Sequence, residues 1–144
     1  MKSWARLPRL FLAVGEVACP AAPHWITTVL GSCVSLCLWD PVRQRGGINH
    51  TALPRGGTTG RYGEVANDLL LQAMLEGGSH RPHLRAKLFG GASAFGDIGA
   101  QNISAGLEAL HRHGIPLLAR RTGGNRGMLL HYRTDTAEVR LRLA

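Results

Sequence analysis

Leu30-Gly31-Ser32-Cys33 places a thiol directly after a Gly-Ser turn, between two stretches that read as strands. A cysteine on such a turn presents its sulfur at a sheet edge, where backbone N–H groups point at a developing oxyanion. His50 follows seventeen residues later, in Gly46-Gly47-Ile48-Asn49-His50, and a hairpin-like arrangement of the two segments brings it beside Cys33. An imidazole within hydrogen-bond reach raises the thiolate fraction of a thiol whose free pKa is ~8.5. The same imidazole then protonates a departing amine. The competing reading of Cys33, as a small buried apolar side chain, asks nothing of His50.

The remaining candidates are poorer. Cys19 precedes Pro20 in a loop with no partner near it in sequence, and Cys37 lies mid-strand among apolar residues, as a buried structural thiol does. On one extended strand Cys33 and Cys37 stand about 13 Å apart at ~3.3 Å per residue, too far for a disulfide. His80-Arg81-Pro82-His83 and His111-Arg112-His113 are dense in imidazole but have no cysteine at zinc-ligand spacing. On a helix His111 and His113 face different ways, and cations near a helix C-terminus suit its dipole. Gly90-Gly91-Ala92-Ser93 follows a strand, yet the chain has neither a Gly-Lys-Ser/Thr phosphate loop nor a Gly-x-Gly-x-x-Gly fingerprint. Close packing of backbone on backbone accounts for these glycines. Neither a metal nor a cofactor is expected.

The elements that must hold these residues follow from hydrophobic spacing and glycine punctuation. Strands are predicted at Leu10–Val17, Trp25–Leu30, Val34–Trp39, Gly46–Leu53, Leu84–Phe89, Ile115–Ala119, Met128–Tyr132 and Val139–Leu143. Apolar residues three and four apart predict a helix over 61–76, closed by Gly77-Gly78, and a second over 99–113, closed by Gly114. Arg55 to Gly60 reads as a mobile loop, and Gly123-Gly124 as a hairpin turn. Strands on both sides of two helices predict an α/β fold: a single-domain layered sandwich with mixed or antiparallel sheets and two main helices. The 144 residues suit one domain, with 1–9 as a flexible N-terminal extension.

Composition narrows the class. An apolar content of 44% supports a packed core. Seventeen Lys and Arg against nine Asp and Glu give +8, which raises an anionic partner, nucleic acid or a membrane surface, without any basic block to specify one. No apolar run approaches the ~18–20 residues of a membrane span. Leu10–Val14 is shorter than the ~7–15 residues of a signal-peptide core. These features, with an odd count of three cysteines, predict a cytoplasmic protein.

In order along the chain stand Gly15-Glu16, Leu30-Gly31-Ser32-Cys33-Val34, Asp40-Pro41, Gly46-Gly47 with His50, Leu53-Pro54 and Arg61-Tyr62. Lys87-Leu88-Phe89-Gly90-Gly91-Ala92, Ile98-Gly99 with Asn102, and Gly123-Gly124 follow. This series, from about Val14 to Tyr132, resembles the CheD-type chemoreceptor glutamine deamidases of bacterial chemotaxis. The resemblance implies a Cys-His-Thr site, with Cys33 as nucleophile, His50 as its base and Thr27 orienting the imidazole. The residues alone do not separate Thr27 from Thr28, since adjacent strand residues face opposite ways and both fit a strand; the family register favours Thr27.

The implied reaction is hydrolysis of a glutamine carboxamide on receptor cytoplasmic helices through a thioester, with related sites acting on glutamate methyl esters. The implied fold is an α/β/α-type sandwich similar to deamidase toxin catalytic domains, and the implied partner is a CheC-type phosphatase. Arg120-Arg121-Thr122 and Met128 depart from the family, which tends to have an acid before the late glycines and an arginine after them. The alternative readings are a basic module binding nucleic acid or an acidic surface, and a catalytically silent partner of a phosphatase.

Overall fold

The structure, a computed structural model, describes residues 6–94 and 96–144. In chain order the strands are β1 (Arg9–Phe11), β2 (Val17–Ala18), β3 (Trp25–Leu30), β4 (Val34–Asp40) and β5 (Arg45–Asn49). Helix α1 (Gly63–Glu76), a 3-10 turn (Arg81–His83), β6 (Arg85–Gly90), α2 (Ile98–His113), β7 (Leu117–Thr122), β8 (Met128–Arg133) and β9 (Val139–Leu143) follow. They form a four-stranded sheet, β1-β3-β8-β9, and a five-stranded sheet, β2-β5-β4-β6-β7. The β1–β3 and β6–β7 pairs are parallel and the others antiparallel.

Strand β4 shows why the layers stack as they do. Its Val34, Leu36 and Leu38 pack on Leu70 and Met74 of α1 and Leu110 of α2. Its alternate residue Cys37 packs with Ile26, Leu30, Leu130 and Tyr132 of the four-stranded sheet. A strand buried on both faces reads as a nearly continuous apolar run, which Val34–Trp39 is apart from the buried Ser35. The layer order is therefore helices, five-stranded sheet, four-stranded sheet. This corrects the α/β/α order implied by family resemblance, because both helices lie on one side. The outward residues of the four-stranded sheet mix Thr27, His131, Arg140 and Arg142 with Phe11, Val29 and Leu129, and neither helix covers them.

Two further expectations change. Leu10–Val17 is not one strand: the Ala13 N–H donates to Glu16 Oε1 at 2.7 Å, Gly15 takes φ +86°, and the chain crosses from one sheet to the other. Of the expected N-terminal extension, residues 1–5 lie outside the described ones. Pro8 and Arg9 are tied to β3, the Trp25 N–H donating to the Pro8 carbonyl at 2.9 Å and Arg9 pairing with Trp25. Gly114 ends α2 in the left-handed conformation at φ +67°, as the spacing predicts. Among the described residues no helix is long and apolar enough to cross a membrane.

One side chain ties the two sheets directly. The buried Tyr132 hydroxyl of β8 donates to the Leu38 carbonyl of β4 at 3.0 Å. Gly46 leaves the room: a Cβ there would stand 2.6 Å from that hydroxyl and 2.7 Å from the Thr134 carbonyl oxygen. Tyr132→Phe should cost about 1 kcal/mol in urea unfolding. Gly46→Ala should cost about 1–3 kcal/mol through overpacking. A Gly46→Ala protein with an unchanged urea midpoint would contradict the close approach.

Candidate active site

Cys33 stands one residue before β4 and His50 one residue after β5. The β4–β5 register pairs Cys37 with Ile48, and the same register continues to an isolated bridge between Val34 and Thr51. Ser35 therefore lies opposite His50, and Cys33 lies diagonal to it on the same face. Diagonal neighbours of an antiparallel pair have Cα atoms about 7–8 Å apart, within reach of a long side chain. That face is the one turned toward the four-stranded sheet, since Cys37 and Ile48 belong to the core between the sheets.

The turn carrying Cys33 is held from three directions. The Cys33 carbonyl accepts from the Gly91 N–H and the Gly31 carbonyl from the Ala92 N–H, both at 2.9 Å. The Ser32 carbonyl accepts from Asn102 Nδ2 at 2.9 Å. Gly90, at φ +103°, sits where a Cβ would run into the Cys33 carbonyl oxygen. The expectation that Gly90-Gly91 serves close backbone packing thus acquires a specific partner. On the other strand, the His50 N–H donates to the Glu16 carbonyl at 3.2 Å and its carbonyl accepts from the Gly15 N–H at 2.8 Å. On the helix side, Asn49 accepts the Leu36 N–H at 2.9 Å and donates to Asn67 of α1 at 2.8 Å.

His50 is oriented by Thr28. The Thr28 hydroxyl lies 2.7 Å from His50 Nδ1 and donates to the Leu12 carbonyl at 2.7 Å. A hydroxyl has one hydrogen, and a carbonyl oxygen only accepts. The hydrogen therefore goes to Leu12, and Thr28 accepts from Nδ1–H. This selects the tautomer with Nε2 unprotonated, the form a general base requires.

Thr27 does not take the position expected of it. Its hydroxyl lies 2.8 Å from Nδ1 of His131, its partner on β8, on the outward face of the four-stranded sheet. Thr28 shares the inward face with Ile26 and Leu30, so strand alternation sends Thr27 away from His50.

The titration directions fit a neutral resting pair. Burial pushes the Cys33 thiol above its ordinary value, against the Arg61 charge and its own backbone N–H, which pull it down. Burial holds His50 below its ordinary 6.5, and the Leu12 carbonyl opposes this. The other thiols are placed differently. Cys37 is fully buried and pushed far up, and Cys19 Sγ packs 3.3 Å from Met74 Sδ. The imidazole-rich segments do not converge: His80 and His83 meet edge to face, and His113 contacts Asp68 at 3.1 Å. Among the described residues no group of three or more His, Cys, Asp or Glu is placed to hold a metal ion.

A hollow of about 200 Å³ opens beside the turn that carries Cys33, walled by Gly31, Ser32, Ala92, Ala94, Ile98, Asn125 and Gly127. A larger one, about 330 Å³, lies between Pro54–Arg55 and α2; neither hollow has a thiol or imidazole in its walls, and the smaller is set apart by Gly31 and Ser32 of the turn that carries Cys33. Sequence reasoning missed the Leu12 carbonyl and the Asn49–Asn67 pair. The first is main chain and carries no residue signal, and the second joins residues eighteen apart that only the fold brings together.

Comparison with known proteins bears on the family of the chain and on its fold. The sequence model of the family described as CheD chemotactic sensory transduction matches residues 50–143. The chain is 46% identical to a protein of Rhodospirillum rubrum named probable chemoreceptor glutamine deamidase CheD, over 94% of this chain and 82% of that one. A protein of Anaeromyxobacter dehalogenans, named probable chemoreceptor glutamine deamidase CheD 1, is 40% identical over 88% of this chain and 80% of its own. Among solved structures, a Neisseria meningitidis protein of the DUF152 family shares the fold, with a TM-score of 0.51 and 12% identity over 83% of this chain and 65% of that one. With its turn cysteine, strand histidine and paired glycines held in one register, and with these relatives covering nearly its whole length, the chain belongs to the CheD family.

Proposed function

We propose that this protein is a cysteine hydrolase that converts glutamine side chains of chemoreceptors to glutamate. The observation that carries the reading is the proton direction Leu12 ← Thr28 ← His50, which leaves Nε2 as a base on the same sheet face as Cys33. The relatives' name, chemoreceptor glutamine deamidase, supplies the substrate class.

Cys33 and His50 start neutral. As the sulfur attacks the carboxamide carbon, the thiol proton passes to Nε2 and the carbonyl electrons move onto oxygen. The Cys33 N–H, which stabilises its own thiolate, is the donor we assign to that oxyanion. Collapse breaks the C–N bond, His50 gives its proton to the departing nitrogen, and ammonia leaves a thioester. Water then loses a proton to His50 and attacks the thioester; the sulfur departs and recovers the proton, leaving glutamate. Thr28 stabilises the imidazolium passed through twice by accepting from Nδ1–H.

The helices of a receptor's cytoplasmic part present such glutamines, which places the reaction in the cytoplasm. A net charge of +8 suits approach to an acidic protein surface. A CheC-type phosphatase is the partner that the family resemblance suggests.

Mass spectrometry of receptor fragments should show a gain of about one dalton per converted glutamine, by exchange of NH₂ for OH. Cys33→Ala should abolish that gain, and full activity in this variant would refute the assignment. Thr28→Val should lower kcat about 10- to 100-fold by orphaning the buried Nδ1–H. Thr27→Val, which disturbs only the outward His131 contact, should not; the opposite ranking would restore the family register.

The pH dependence follows from His50 being held below 6.5. Its neutral form persists into mild acid, so the acid limb of kcat/KM should have its midpoint below 6.5. In that range the unfolded chain binds more protons at His50 and His131, whose value is also lowered, so stability should fall as pH drops through 6.5.

A further inference from the structure

We propose that Asn102 of α2 is a positioning residue for the Cys33–His50 pair, clamping the nucleophile turn to the end of the base's strand where the sheet no longer joins them. The proposal rests on the catalytic reading above. The last main-chain rung between the two strands joins Val34 and Thr51, with N–H to carbonyl distances of 3.0 and 2.9 Å. Beyond it the strands part. The Ala52 and Leu53 N–H groups both donate to the Arg61 carbonyl, at 2.8 and 3.1 Å, and the Cys33 carbonyl turns to Gly91.

Asn102 bridges the gap that opens. Its Nδ2 donates to the Ser32 carbonyl at 2.9 Å and to the Ala52 carbonyl at 3.0 Å. Ser32 precedes the nucleophile, and Ala52 is the residue facing Cys33 in register. An amide NH₂ has two hydrogens, and here each goes to a different strand. The reverse amide orientation would set Oδ1 against two carbonyl oxygens, so the observed one is the only attractive choice.

Two observations separate positioning from ordinary packing. Asn102 is 2% exposed, and its Oδ1 is buried without a hydrogen-bond partner among the described residues. An orphaned acceptor is unfavourable, so what the fold gains from this residue lies in its donors. The strand pair is also stitched independently on the other side of His50, by Asn49 to Leu36 and Asn67. The sheet register therefore does not depend on Asn102; the separation of Cys33 from His50 does. A helix of sixteen residues is a stiff mount for such a clamp.

The test uses the full chain with Asn102→Ala and the near-isosteric Asn102→Asp, whose carboxylate offers acceptors where donors are needed. Deamidation of a receptor fragment, iodoacetamide alkylation of Cys33 and thermal unfolding are measured for each. A loss of alignment near 1 Å should lower kcat about 100-fold. KM should change less than about threefold, because binding is not the interaction removed. Alkylation of Cys33 should slow while that of Cys19 does not.

Melting should fall in both variants, so rates are taken below the lower midpoint; if one variant fails to fold, the other carries the test. A folded variant of either kind with kcat within about twofold of wild type overturns the proposal. A Cys33→Ala protein that keeps its activity refutes the catalytic reading instead, and Cys33 alkylation in the Asn102 variants still reports the clamp.

Discussion

The hydroxyl of Thr28 has one hydrogen to give, and the Leu12 carbonyl takes it. Much of the site's architecture serves that arrangement. Leu12 arrives because the chain leaves β1, turns at Gly15 and crosses to the five-stranded sheet. The turn then pairs Gly15 and Glu16 with the main chain of His50, so the acceptor and the imidazole backbone are set by adjacent residues. Thr28 projects from the opposite sheet into the same space. Two sheets must therefore pack face to face for a single proton to have a defined direction. Burial then disfavours both charged forms, the thiolate of Cys33 and the imidazolium of His50.

The elements of this fold were largely legible, because glycine and proline punctuate segments of clear period. The positions of Cys33 and His50 were legible for the same reason. The threonine was not. Ile26, Thr28 and Leu30 face the core, but Trp25 and Val29 beside Thr27 are apolar as well, so alternation alone does not rank the two faces. Trp25 is fully buried despite facing outward, with Arg140 over its ring at 5.9 Å. The layer order was hidden too. It depends on where the helices' apolar faces go: both pack on β4, which is buried on both sides, and neither crosses the outer face of the four-stranded sheet.

The turn around Cys33 is crowded by backbone rather than by side chains. Its three carbonyls are drawn off by Gly91, Ala92 and Asn102, and Gly90 is pressed against one of them. Gly31 and Ser32 of this turn, with Ala92, also wall the adjoining hollow. The crowding explains why paired glycines more than fifty residues downstream belong with the cysteine: they allow two chain segments to approach closer than any side chain permits.

The desolvation of Cys33 has a consequence for its redox chemistry as well. Peroxide attacks thiolates rather than thiols, and a cysteine held permanently as an ion pair with histidine is exposed to it between turnovers. Here desolvation favours the protonated sulfur. The burial that raises the Cys33 thiol thus also disfavours the thiolate through which oxidation proceeds.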